Sequence, residues 1–138
     1  MSRACYTDDC DSEYPLALRR GAVMSSIRGK RGQAMLRELL TALDAMPQKR
    51  LIAAELEKDG EVCALGALGR AQGKDMHSID PEDYVVAARE FNIAEPLARE
   101  IEYENDEGFW GVIEETPEAR WERMRAWVAQ HLTEVKAS

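Results

Sequence analysis

Residues 32–47 read Gly32-Gln-Ala-Met-Leu-Arg-Glu-Leu-Leu-Thr-Ala-Leu-Asp-Ala-Met46-Pro47. Met35, Leu36, Leu39, Leu40, Leu43 and Met46 form one apolar stripe with a period of about 3.6 residues, and Arg37, Glu38 and Asp44 lie off it. The pattern predicts an amphipathic helix with one face in a core. Pro47 ends it at Met46, because the residue before a proline avoids the α region.

Upstream, Leu16, Leu18, Ala22, Val23 and Ile27 recur at mixed three- and four-residue steps, and Pro15 suits a first helical turn. They predict a preceding helix, with Leu18 and Ala22 on its apolar side, interrupted at Gly29. Residues 1–13 are polar and carry Asp8, Asp9, Asp11 and Glu13, which predicts an irregular acidic arm before one helical domain over 14–138.

Downstream, Lys58-Asp59-Gly60 is a turn signal, and Asp-Gly is a strong cue for a short β-hairpin. A helix from Arg50 to Lys58 is the competing reading, favoured by Ala53, Ala54 and Glu55. Cys63-Ala-Leu-Gly-Ala-Leu-Gly69 predicts a short, buried helix closed by Gly73. Asp80 caps a further predicted helix, with Pro81 at its first position and Tyr84, Val85, Ala88 and Phe91 on its apolar face. Another helix starts at Ala94-Glu95-Pro96 and runs to about Glu104, where Asn105-Asp106-Glu107-Gly108 breaks it. Phe109, Trp110, Val112 and Ile113 read as an apolar loop or strand. Thr116-Pro117-Glu118 opens the last helix, with Trp121, Met124, Trp127, Val128 and Leu132 on one stripe. The expected fold is mainly α, a compact single domain of about five or six helices with one short β-hairpin.

At 138 residues, 45% hydrophobic and 32% charged, the chain has the composition of one globular domain and can bury a sizeable core. It has no apolar run of membrane-spanning length. The N-terminus lacks a basic-then-apolar signal, so a cytoplasmic setting and no membrane partner are expected. Three cysteines, an odd number, argue against a disulfide framework. Cys5 and Cys10 lack the further Cys/His pair that a structural zinc needs, which leaves Cys63 as a buried thiol. No motif asks for a cofactor or metal, and none points to a catalytic constellation.

Charge is segregated along the chain. The net charge is −8, yet Arg19, Arg20, Arg28, Lys30, Arg31 and Arg37 occur with no acid among them. Arg28-Gly-Lys-Arg-Gly32 opens the main predicted helix, where free N–H groups, partial positive charge and glycines favour an anion. Arg28, Lys30, Arg31 and Arg37 are therefore the candidate binding residues for an anion or a partner. The plainer reading is a solvated turn. It is not a Walker loop, because no Gly-Lys-[Ser/Thr] ending is present. The second cluster is acidic. Glu100 to Glu118 holds eight acids and no Lys or Arg, and Glu102, Glu104, Asp106, Glu107, Glu114 and Glu115 are read as an acidic surface for a cation or a basic partner. The stretch does not fit a calcium loop. A divalent-metal enzyme built on Asp8, Asp9, Asp11 and Asp106 is the weakest reading.

Arg20-Gly-Ala-Val23, Gly29-Lys-Arg-Gly-Gln33, Leu36-Arg-Glu-Leu39, Ala42-Leu-Asp-Ala-Met46, Lys49-Arg-Leu-Ile52 and Gly60-Glu-Val-Cys-Ala-Leu-Gly66 together resemble a family of small proteins of tailed phages and prophages. Asn105-Asp106, Thr116-Pro-Glu-Ala-Arg-Trp121 and Trp127-Val128 are similar to that family's C-terminal pattern. The family carries no assigned activity, so the resemblance transfers no site. It implies a setting: a viral accessory protein inside a bacterium. The expected function is stoichiometric binding of a host or phage macromolecule, most concretely inhibition of an anti-phage defence component. The alternative is a nucleic-acid-binding regulator using residues 19–37, which overall acidity disfavours.

Overall fold

The computed structural model describes residues 13–76, 79–80, 83–107 and 115–132. Among them the elements are α1 (Glu13–Arg28), α2 (Lys30–Ala45), β1 (Glu57–Lys58), β2 (Glu61–Val62), α3 (Ala64–Ala71), α4 (Tyr84–Phe91), α5 (Glu95–Glu107) and α6 (Pro117–Gln130). The architecture is the expected one, a mainly helical single domain with one antiparallel hairpin. The predicted arm up to residue 12, and Phe109, Trp110, Val112 and Ile113, lie outside the described residues.

Helix α2 is the central element, packed against α1, α3 and α6. Met35, Leu36, Leu39 and Leu43 are buried as the stripe requires, and Leu36, Leu39 and Leu43 are wholly so. Leu40 and Met46 sit at the edge of the stripe and are only partly buried. Trp121 and Trp127 likewise lean on the core rather than filling it, while Met124 and Val128 supply α6's fully buried contacts. The Trp121 indole N–H still fastens α6 to α2 by donating to the Leu43 carbonyl at 3.1 Å.

The hairpin pairs Glu57 with Val62 and Lys58 with Glu61. Asp59 and Gly60 both take positive φ, 54° and 82°, as a type I′ turn demands. The competing helix over Arg50–Lys58 does not form. Ile52 N–H instead donates to the Val62 carbonyl and Leu51 N–H to the Pro117 carbonyl, tying this segment to β2 and α6.

Helix ends follow local chemistry with one shift. Thr116 caps α6 by accepting from Ala119 N–H at 3.1 Å, and Cys63 Sγ accepts from Gly66 N–H at the start of α3. Gly73 closes α3 at φ 75°, with Lys74 N–H on the Gly69 carbonyl and Gly73 N–H on the Arg70 carbonyl. Asn92 does the same for α4 at φ 56°. The cap of α4 is Asp83, which accepts from Val86 N–H, and not Asp80. The buried face of α4 is Tyr84, Ala87, Ala88 and Phe91, and Val85 is exposed.

Two further expectations are corrected. α5 does not break at Asn105-Asp106-Glu107 but runs through them to Glu107. Packing overrides the weak helix propensity of Asn and Asp, because Asn105 is wholly buried and its side chain serves neighbouring segments. On α1, Val23 and Ile27 face the core, whereas Leu18 and Ala22 are exposed.

Candidate functional site

Arg28, Lys30 and Arg31 gather at the elbow between α1 and α2, whereas Arg37 lies two turns further along α2. Arg28 is the last residue of α1, Gly29 the N-cap of α2, and Lys30 and Arg31 occupy its first turn. Gly29 brings no side chain to that helix end, and the first turn holds no acid. Arg28, Lys30, Arg31 and Arg37 are all exposed. Arg31 reaches across to the Asn92 side-chain oxygen at 3.5 Å.

Gly32 has a different task from the one its place in the motif implied. It is buried, and a Cβ built there would stand 1.9 Å from the Ser26 carbonyl oxygen. It permits the close approach of α2's first turn to α1 and does not open the backbone to an anion. Gln33 braces the same elbow from inside. Its Nε2 donates to the Ile27 carbonyl at 2.7 Å and to the His131 carbonyl at 2.9 Å, linking α1, α2 and the end of α6. The cationic residues therefore stand on a rigid corner.

Lys30 and Arg31 line a cleft of about 380 Å³ with Ala34, Met35, Glu38, Gln72, Glu90, Phe91 and Asn92. Its acids are engaged within the chain: Glu38 accepts from Gln72 Nε2 at 2.7 Å, and Glu90 lies 3.7 Å from Lys74 Nζ. Glu38, Glu90 and Asn92 were not among the residues read as a site. Only the placement of Asn92 had a local signal, since asparagine is common where a helix ends in the left-handed region.

The acidic stretch is not one surface. Glu102 is 1% exposed and lies beside the Cys63 thiol, with Oε2 at 3.9 Å from Sγ. The Glu115 side chain is 5% exposed and is clasped by Arg123 Nε at 2.7 Å and Nη2 at 2.9 Å, with Arg120 Nε at 3.4 Å. Asp106 accepts from Ala54 N–H at 3.0 Å and from Asn105 Nδ2 at 2.8 Å. Glu104 is half-buried, 4.0 Å from Arg123, and Glu107 is exposed. Glu114 lies outside the described residues. Arg120 and Arg123 of α6 turn back onto this stretch and make part of it internal structure. No group of three or more His, Cys, Asp or Glu among the described residues is arranged to hold a metal ion.

Burial pushes the Cys63 thiol well above the ordinary thiol range, and the neighbouring Glu102 adds to the rise. The group is a neutral helix cap rather than a nucleophile. Iodoacetamide is expected to leave Cys63 unmodified in the folded protein and to label it in denaturant, as read by peptide mass spectrometry. Fast labelling of Cys63 in the native state would contradict this assignment. On the outside, the hydrogen bond from Arg125 holds the Asp44 carboxyl below its usual value. That contribution is present above the unfolded carboxylate pKa of about 3.9 and is lost as pH falls through the lower folded value. Both side chains are more than a third exposed, so it is small.

No helix among the described residues is long and apolar enough to cross a membrane. No protein-family model, curated protein or solved structure matches the chain.

Proposed function

We propose that this protein acts by stoichiometric binding of a macromolecular partner, with the elbow of Arg28, Lys30 and Arg31, continued along α2 by Arg37, as its contact surface. The observation that carries the reading is how the cations are used. Arg50, Arg70, Arg99, Arg120, Arg123 and Arg125 are each paired with a carboxylate of this chain. Arg28 and Lys30 make no ion pair among the described residues, and Arg31 touches only an amide. Arg28, Lys30 and Arg31 are exposed on a braced corner and contribute little to folding.

The phage-like sequence supports a setting inside an infected bacterium, and the most concrete role is inhibition of an anti-phage defence component with an acidic face. A shaped, charged surface suffices for such an inhibitor. Glu38 and Glu90 beside the cleft disfavour a nucleic-acid backbone as the partner, because polyanion binding is dominated by phosphate charge.

The test is phage plating on bacteria that carry defence systems, with and without this protein. Wild type is expected to raise plating on a defended strain, and K30E/R31E to lose that effect. The double variant is expected to change stability by no more than about 0.5 kcal/mol, as for other exposed charges. Unchanged plating on every defended strain would remove the inhibitor reading. A folded K30E/R31E that retains full effect would remove the elbow as the surface.

A further inference from the structure

The cleft beside the elbow is the first of three hollows in a row along α2 and α3. It shares Ala34, Glu38 and Gln72 with a second hollow of about 530 Å³, and that one shares Ala42, Ala45 and Ala71 with a third of about 470 Å³ beside the hairpin. Together they make one groove along the 16 residues of α2, roughly 24 Å at about 1.5 Å per residue. Its floor is apolar, with Ala42, Val62, Ala67 and Leu68 buried beneath it. Ala45 and Ala71 stand exposed on its walls, and side chains this small leave the space open. Charge differs between the two ends. At the elbow Lys30, Arg31, Arg37 and Lys74 stand with the acids Glu38 and Glu90. At the hairpin Arg50 and Arg70 are outnumbered by Glu57, Asp59, Glu61 and Glu118. Asp59 is exposed at the turn and makes no ion pair among the described residues.

We infer that this groove takes one α-helix of the macromolecular partner, lying antiparallel to α2, with an acidic C-terminal turn at Lys30 and Arg31 and a basic N-terminal turn at Asp59. The inference rests on the proposed binding role of the elbow and names the element that the partner presents to it. A helix suits the space, because a furrow between two packed helices accepts the side-chain ridge of a third. Its direction follows from charge. The carboxyl end of a helix carries partial negative charge and the amino end partial positive charge, so each end meets its opposite in this groove. The docked dipole also opposes that of α2. Between the two ends the alanines call for an apolar stripe, lying over Ala42, Ala45 and Ala71.

The test is selection from a displayed library of helical peptides as long as α2, randomised on one face and in both end turns, followed by fluorescence anisotropy of the enriched sequences. The enriched peptides are expected to carry an apolar stripe, with Asp or Glu in the last turn and Lys or Arg in the first. Ala45→Trp and Ala71→Trp fill the groove from exposed positions and leave the elbow charges intact. Each is expected to keep the circular dichroism and melting temperature of the wild type and to weaken binding by about tenfold or more. K30E/R31E is expected to lose the preference for an acidic last turn. No enrichment, enrichment with the charges in the reverse order, or affinity that both tryptophan variants leave unchanged overturns the inference. So does a dimer of the free protein that these variants dissolve, because a second copy would then be the occupant. The elbow as contact surface is judged separately, by K30E/R31E in the plating assay, so a failed groove and a failed elbow give different results.

Discussion

Gly66→Ala is expected to destabilise the protein by about 2–4 kcal/mol, although alanine is the better helix former. Gly66 lies in α3 where the helix crosses the segment leading into the hairpin. A Cβ there would stand 1.9 Å from the Leu56 carbonyl oxygen and 2.9 Å from its carbon. The obstacle is backbone, so it cannot swing aside as a side-chain tip would. That same carbonyl accepts from Cys63 N–H at 3.2 Å, and moving it away loosens the bond that holds the hairpin on α3. Thermal unfolding should show a fall in Tm of roughly 10 °C. Gly21→Ala is the control: Gly21 is also helical but has open space around it, and alanine there is expected to gain up to about 1 kcal/mol. Equal responses at the two sites would show that α3 does not approach the Leu56 backbone as described.

Asn105→Leu is expected to cost about 2–5 kcal/mol, because it keeps the branched shape of the side chain but removes the partner of one buried and one part-buried backbone group. Asn105 is wholly buried. Its Oδ1 accepts from Ala64 N–H at 3.1 Å, and its Nδ2 donates to the Ile52 carbonyl at 2.9 Å. One side chain of α5 thereby satisfies the first turn of α3 and the strand-like segment before the hairpin. The Asn105 carbonyl in turn accepts from Arg120 Nε at 3.1 Å and Arg123 Nη2 at 3.3 Å, so α6 is fastened at the same point. Urea unfolding measures the loss directly. A change under about 0.5 kcal/mol, the range of ordinary surface substitutions, would mean that these groups find other partners.

The elements whose existence rests on nearby residues were legible in the sequence. The Met35–Leu43 stripe, the Asp59-Gly60 turn, the Thr116 cap and the Gly73 stop each follow from a period or from the conformational needs of one or two residues. The main misplacement of an end, the cap of α4, was local too: two aspartates three residues apart competed for one role, and only the observed bond to Val86 N–H decided between them. Of the candidate site, the exposure of Arg28, Lys30, Arg31 and Arg37 agreed with the sequence pattern. The cleft beside them did not exist until α3 and α4 supplied Gln72, Glu90 and Asn92.

Sequence by itself determined the helices, the hairpin and the segregation of charge, because periodicity, turn geometry and capping act over a few residues. Tertiary structure alone decided which charges are surface and which are scaffold. Glu102 became internal beside the Cys63 thiol, and Asn105, read from the sequence as part of a helix break, became the joint between Ile52 and Ala64. The same holds for the glycines: Gly21 stands in open space, while Gly32 and Gly66 touch another segment's carbonyl. Identical residues took different roles because burial and hydrogen-bond satisfaction depend on what the folded chain brings from far along its length.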